Sequence, residues 1–331
     1  MKKRTRYKII VACPNYSSLK EGTIKALQSL GHTVVFFDYN GMPLFEKLLI
    51  ISRNFKILPP KKINQYNFNK TQKRLLCLVK DYNPDILLIL KGEQFDRNTI
   101  DQLTQRGITT INWYPDWLYF KPWLEINIPA YSVFATTDLN IYKAFSKKNK
   151  SVIYLPFAAE IESYSYSVKK FDITFVGQYS IRREEYFKCI ADLGLRIWGY
   201  SQWRQSSLAH LSHTSISPQA VKLIYKNSKI VVNVPTGQKG FEPNQINIRT
   251  FEAMGVGAFV LTLKTVLLEK VFEDGTNIVT FSTPSELRNK AIYYLNHPDK
   301  REKIAQQGWL AVSGKHTYTH RMSKLLESIR E

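Results

Sequence analysis

The 331-residue sequence predicts an α/β protein with two tandem Rossmann-like domains facing across a cleft. Three observations carry that expectation. The chain opens with strand, loop, helix, glycine and strand, over Lys8 to Asp38. A second set of the same kind starts at Asp172. Between them, Ala158 to Lys170 is polar and lacks helical periodicity, which places a boundary near residue 160 and domains at 1–160 and 161–331. The length suits two cores of ordinary size.

In the first domain, Lys8 to Cys13 and Thr33 to Asp38 read as buried strands around a helix from Glu21 to Leu30 that Gly31 ends. The intervening loop, PNYSS, lacks the glycine fingerprint of dinucleotide enzymes, so no nicotinamide or flavin cofactor is expected. Gly41 to Asn69 has little periodicity and reads as a helix followed by a long basic loop. Lys70 to Tyr82 reads as a helix. The apolar run Ile86 to Leu90 delivers Lys91-Gly92 at its carboxyl end. Thr109 to Trp113 delivers Tyr114-Pro115-Asp116. Ligands of open α/β sheets bind at such ends, which makes Lys91 and Asp116 candidate catalytic residues, with Asp116 the candidate base. Trp113, Tyr114, Trp117, Tyr119, Phe120 and Trp123 are dense enough to face a sugar, although core packing explains most such clusters. Ser132 to Ala135 and Val152 to Leu155 read as strands around a helix from Thr137 to Ser146.

In the second domain, Asp172 to Val176 is a strand ending at Gly177, followed by a helix from Ile181 to Leu193 that opens on Arg182 and Arg183. Cations at a helix start oppose its dipole unless an anion is near, which hints at a phosphate site. The strand Arg196 to Trp198 ends at Gly199-Tyr200, and Lys229 to Val234 leads into the loop Thr236 to Pro243. The stretch Asn244 to Thr262, NQINIRTFEAMGVGAFVLT, then runs from polar residues through a short helix closed by Gly255 and Gly257 into a buried strand. Arg249 and Glu252, three apart, share a helix face and form an acid–base pair suited to hydroxyls and phosphates. Helices over Pro284 to Asn296, Pro298 to Val312 and His316 to Glu331 close the chain. Facing sheets would set Lys91 and Asp116 opposite Gly177, Gly199, Thr236 and Glu252.

The formal net charge of +20 favours anionic partners: a phosphorylated small molecule, an anionic membrane surface touched peripherally, or nucleic acid. Its scatter along the chain, without a basic tail, weighs against nucleic acid. Cys13, Cys77 and Cys189 are too few and scattered for a disulfide framework. Their apolar surroundings predict buried thiols and a cytoplasmic setting. No apolar run approaches a membrane span or a secretory leader. His316 and His320, placed on one face of the last helix, have no third ligand and read as structural, as do His210 and His213.

The segments PDILLILKG, TTINWYPDW, FDITFVGQYSIRRE, LGLRIWGY, SKIVVNV and NIRTFEAMGVGAFVLT, with FEDGTNIVTFSTPSEL, YYLNHPDKREKIAQQG and HTYTHRM after them, resemble the CgeB-type (spore-maturation protein) family of GT-B-fold glycosyltransferases. The resemblance covers most of the chain from about residue 84 onward. It implies a nucleotide-sugar donor on the C-terminal domain and a carbohydrate, protein or lipid-linked acceptor on the N-terminal one. Glu252 would hold the ribose hydroxyls. Arg249 would serve the diphosphate or support Glu252, with Asn247, Gly177, Gly199, Tyr200, Thr236 and Arg182 around the donor. Many retaining members carry Glu eight positions before the acid; here that position is Asn244, with Glu242 two residues away, so the stereochemical outcome stays open. The chain has no Asp-x-Asp motif, and the expectation is transfer without a metal or cofactor, with Arg182, Arg183, Lys239 and Arg249 as candidate cations. The alternatives are a protein of this fold that binds nucleotide or glycan without turnover and, more remotely, a nucleic-acid binder.

Overall fold

A computed structural model of the chain describes residues 6–41, 60–116, 121–149, 151–165, 168–236 and 244–329. Contacts divide it into two units, residues 1–155 with 322–331, and residues 156–321. The expected division lay near residue 160.

The first unit holds a six-stranded, all-parallel sheet in the order β2-β1-β3-β4-β5-β6. Its strands are β1 (Lys8–Cys13), β2 (Thr33–Asp38), β3 (Ile86–Leu90), β4 (Thr109–Tyr114), β5 (Val133–Thr136) and β6 (Val152–Tyr154). β3, Ile-Leu-Leu-Ile-Leu, is buried throughout, as a strand covered on both faces requires. Helices α1 (Leu19–Ser29), α2 (Pro60–Tyr82), α3 (Arg97–Gln105), α4 (Lys121–Asn127) and α5 (Leu139–Phe145) accompany it. Asp96 and Asp138 cap α3 and α5 through their carboxylates. β1 sits between β2 and β3, so the direction of winding reverses between β1 and β3.

The second unit repeats the plan with a sheet in the order β12-β11-β10-β7-β8-β9, again all parallel. It comprises β7 (Phe171–Val176), β8 (Leu195–Trp198), β9 (Ser212–His213), β10 (Ser228–Asn233), β11 (Val260–Leu263) and β12 (Val279–Phe281). Its helices are α6 (Ile181–Lys188), α7 (Pro218–Lys226), α8 (Ile248–Gly255), α9 (Val266–Glu269), α10 (Pro284–Asn296) and α11 (Pro298–Lys315); α12 (Tyr318–Glu327) follows and ends in the first unit. Here the winding reverses between β7 and β10. Phe175, Phe187 and Trp203 build the core beneath that point, with ring centroids 4.8 Å apart for the first pair.

Several local expectations are corrected. Residues 60–69 are helical, not loop, because Pro60 starts α2 at the position that tolerates a missing N–H and no glycine or proline interrupts it before Pro84. Residues 42–59 lie outside the described residues. α4 was not foreseen; at seven residues, Lys-Pro-Trp-Leu-Glu-Ile-Asn, it is too short to show a helical period. α6 stops at Lys188, five residues early, and gives way to turns. His316 is not in the last helix. It caps α11, while Thr317 Oγ1 accepts from the His320 N–H, so α12 starts at Tyr318. Cys77 is exposed, because α2 buries Thr71, Gln72, Leu75 and Val79 and Cys77 falls on the opposite side.

Candidate functional site

The second unit gathers two arginines at its winding reversal. Arg249 reaches from the first turn of α8 to donate through Nε to the carbonyl of Val176, at the end of β7. Its Nη1 donates to Asn247 Oδ1 at 3.0 Å, and that oxygen also accepts the Arg249 backbone N–H at 3.0 Å. One asparagine thus caps α8 and aims its arginine. Arg183 is 1% exposed and donates to the carbonyls of Val234 (2.8 Å) and Gln178 (2.7 Å). Both guanidinium groups lie over the Phe175 ring, 5.0 Å from its centroid for Arg183 and 5.4 Å for Arg249.

The backbone makes room for this. A Cβ on Gly177 would lie 2.8 Å from Arg249 Cζ, and one on Gly199 would lie 2.8 Å from Trp203 Nε1, which donates to the Gly177 carbonyl. Burial, and then the Arg249 charge, push the Arg183 pKa down. A guanidinium nonetheless stays protonated in a protein. Among the described residues neither arginine has a carboxylate within ion-pair distance. The result is two adjacent, partly desolvated cations with no ion-paired carboxylate among the described residues, which favours an anionic ligand.

Glu252 lies half-buried on the same helix. Burial is the main cause pushing its pKa up, opposed by the charges of Arg249 and Lys222 and aided by Glu160. Arg249 is held by Val176 and Asn247 and makes no ion pair with Glu252, and among the described residues Glu252 has no hydrogen-bond partner. Tyr225, fully buried, feels the charges of Glu252, Arg249 and Arg183, and its hydroxyl has no hydrogen-bond partner among the described residues. A carboxylate and a hydroxyl without hydrogen-bond partners among the described residues, beside two cations, leave hydrogen-bonding capacity for a bound polar molecule. Tyr225 and the burial of Arg183 were not foreseen: an aromatic on an amphipathic helix gives no signal in sequence.

The other candidates fall around this point. Gly199 and Tyr200 follow β8, with Tyr200 56% exposed. Thr236, Arg182 and Asn244 are half-buried. Lys239 and Glu242 lie outside the described residues.

In the first unit, Lys91 follows β3 with φ of 75°, a conformation a lysine rarely adopts, and Gly92 follows at 92°. Asn112 Nδ2 donates to the Lys91 carbonyl at 3.0 Å and would obstruct any side chain at Gly92. Lys91 Nζ lies 2.9 Å from Asp116 Oδ2 and 3.5 Å from Glu93 Oε2. Burial alone would lower the Lys91 pKa, but the two carboxylates outweigh it and raise it. Glu93, which sequence reading passed over, accepts from the Tyr114 hydroxyl at 3.4 Å, and burial pushes its pKa up. Two residues beyond Lys91, it was within reach of the same strand-end argument. Of the aromatic cluster, Trp113 and Tyr114 are core residues, Trp123 stacks on Tyr114 at 5.6 Å, and Trp117, Tyr119 and Phe120 lie outside the described residues. His213 stacks on Trp198 at 5.0 Å. Among the described residues no group of three or more His, Cys, Asp or Glu side chains is arranged to hold a metal ion, and no helix is long and apolar enough to cross a membrane.

Residues 182–327 match the family model described as glycosyl transferase-like, a span containing Arg183, Tyr225, Arg249 and Glu252. No curated protein matches the chain. Among solved structures, an α-glucosyltransferase in complex with UDP-glucose and DNA containing an abasic site has a TM-score of 0.69 at 10% identity, covering 98% of this chain and 100% of its own. A glycosyltransferase from Rickettsia africae has a TM-score of 0.65 at 13% identity, covering 99% and 98%. The Anabaena protein Alr3699/HepE, in complex with UDP-glucose, has a TM-score of 0.61 at 13% identity, covering 98% and 99%. The two parallel sheets with their helices are the GT-B fold.

Proposed function

We propose that this chain, a glycosyltransferase of the GT-B fold, takes its sugar from a nucleoside diphosphate bound by the second unit, at Arg183, Arg249, Glu252 and Tyr225. The observation that carries the reading is the pair of arginines flanking Phe175 at the sheet's winding reversal, neither of them ion-paired to a carboxylate among the described residues. UDP-glucose in two of the similar structures makes a uridine donor the first to try.

In the transfer, the bond from the sugar's anomeric carbon to the diphosphate's oxygen breaks, an acceptor oxygen bonds to that carbon, and the acceptor hydroxyl's proton passes to a carboxylate of the first unit, Asp116 or Glu93. Negative charge grows on the departing diphosphate. Arg249, aimed by Asn247, and Arg183 stabilise that charge more as it grows, which is the condition for catalysis rather than mere binding. Glu252 accepts hydrogen bonds from the ribose hydroxyls as a charged acceptor, and the ligand supplies the donors its carboxylate lacks. Gly177 and Gly199 let the backbone come close, and Tyr200 offers an exposed ring beside them. Lys91, Glu93 and Asp116 serve the acceptor. Transfer proceeds without a bound metal. The finer placement among CgeB-type proteins rests on the segments quoted above.

The test is thermal stability with UDP and UDP-glucose, in chelator, for wild type, Glu252→Ala and Arg249→Met. Wild type is expected to gain several degrees at saturating UDP, as binding to the native state alone requires. Each variant is expected to lose about tenfold or more in affinity, the worth of a charge-assisted hydrogen bond. A folded wild type indifferent to every nucleoside diphosphate overturns the reading. Asn244, where a retaining member would carry Glu, favours a second reading of binding without transfer. Release of UDP from UDP-glucose, with or without acceptor, separates the two.

A further inference from the structure

The first unit contains a pocket of about 640 Å³ at the carboxyl ends of β2 and β3, within the size range of small-molecule sites. Tyr39, Asn40 and Gly41 come from the end of β2, and Glu93 and Gln94 from the end of β3; Asn67, Phe68, Lys70, Thr71 and Arg74 come from α2. Amides, a hydroxyl and two aromatic rings around one space are the lining a carbohydrate uses: rings against its C–H faces, amides for its hydroxyls. Two cations set this pocket apart from a neutral sugar site. Arg74 lies over the Phe37 ring at 5.2 Å and is fixed by donating to the carbonyls of Gly41 (2.7 Å) and Asp38 (3.1 Å). Those two bonds occupy part of a five-donor fork. Lys70 stands one turn before it on the same helix.

The charge of the whole unit points the same way. Residues 1–155 with 322–331 hold 26 of the 47 Lys and Arg and 13 of the 27 Asp and Glu, a net of +13; residues 156–321 carry the other +7. The unit without the diphosphate site is therefore the more basic one, so its excess charge has a use other than the donor. A surplus of this size steers anions toward it.

We propose that this pocket is the acceptor site, and that it takes a sugar bearing a phosphate or carboxylate, the anion lying against Lys70 and Arg74 and a hydroxyl lying toward Glu93. The assignment as acceptor rests on the glycosyl-transfer reading; the binding of an anionic sugar does not. Glu93 belongs both to the pocket wall and to the Lys91–Asp116 group. An acceptor hydroxyl placed at its carboxylate would meet a group whose pKa burial has raised, in contact with the lysine that holds Asp116.

Calorimetric titration of the full chain with glucose 6-phosphate, glucuronate and glucose, each with UDP at saturation so that the diphosphate site is filled, tests this. The expected result is binding of an anionic sugar at least about tenfold tighter than glucose, consistent with one charge-assisted contact. Preference for glucose 6-phosphate identifies phosphate as the anion; preference for glucuronate identifies carboxylate. Lys70→Ala and Arg74→Lys are expected to lose that preference while keeping wild-type UDP affinity, which also shows that they fold. Glucose binding as tightly as the anions overturns the anionic assignment. Anion binding undiminished in Lys70→Ala and Arg74→Lys, or no sugar bound by a chain that binds UDP, overturns the site. A chain that binds the anionic sugar but no UDP would sink the donor reading and leave the pocket standing.

Discussion

At the scale of single residues, the site depends as much on what is missing as on what is present. Gly177 lacks the one carbon that would occupy the space of the Arg249 guanidinium. Gly177→Ala is therefore expected to dislodge Arg249 from the Val176 carbonyl, weakening UDP binding about as much as Arg249→Met while costing about 1–3 kcal/mol of stability through overpacking. Urea unfolding and a UDP titration of the same variant check the two parts. Normal UDP affinity in a destabilised Gly177→Ala would mean that the arginine's placement is irrelevant to the ligand. The sequence flagged Arg249 and Glu252 as a base and an acid on one helix face. Spacing on a helix does not say what fixes each side chain, and only the fold reveals the backbone carbonyl and the asparagine that hold the arginine. Arg182 and Arg183 were both flagged as candidate cations but only Arg182 was set around the donor, since a helix start does not say which of two neighbours turns inward; the burial of Arg183 does.

At the scale of elements, the strands were legible because parallel strands covered on both faces are written as short apolar runs, and β1, β3 and β10 stand out for that reason. Helices with one polar side were harder. The first turns of α2 carry Lys, Asn and Gln, which suit loop and exposed helix equally, so its start was missed and Cys77 was expected inside. The three cysteines now make a test of how the elements pack. Cys77 is expected to react quickly with a thiol-specific reagent in the native state. Cys189 is half-buried, with its Sγ donating to the carbonyls of Tyr186 and Pro284, both at 3.0 Å, and is expected to react more slowly. Cys13, fully buried in β1, has its pKa pushed up to about 12 by burial and is expected to react only on unfolding. Counting fast, slow and protected thiols by mass spectrometry settles the matter; a protected Cys77 would mean that α2 is rotated or covered.

At the scale of the whole molecule, the chain leaves the first unit after Leu155 and returns to it after Arg321, and both crossings meet at one side chain of the second unit. Arg321 donates through Nε to the carbonyls of Pro156 (2.9 Å) and Phe157 (3.1 Å), through Nη1 to that of Lys315 (3.2 Å), and its Nη2 lies 2.9 Å from His316 Nδ1. The last contact needs an unprotonated Nδ1, since a guanidinium has only donors. His316 is packed against Phe251, in the helix that carries Arg249 and Glu252, and against Phe272. Burial first, then the Arg321 charge, lower its pKa to about 4. The unfolded chain, with an ordinary imidazole near 6.5, binds this proton more readily than the folded one. Stability from this residue is thus complete above about pH 6.5 and is lost as pH falls toward 4. Replacing it as His316→Gln, which keeps an acceptor for Arg321 but cannot titrate, is expected to leave a chain that loses less melting temperature than wild type across that window. Above pH 7 the two curves should run parallel. Parallel curves through the whole range would show that His316 is protonated as easily folded as unfolded, and that the tie between the two crossings does not depend on its neutral form.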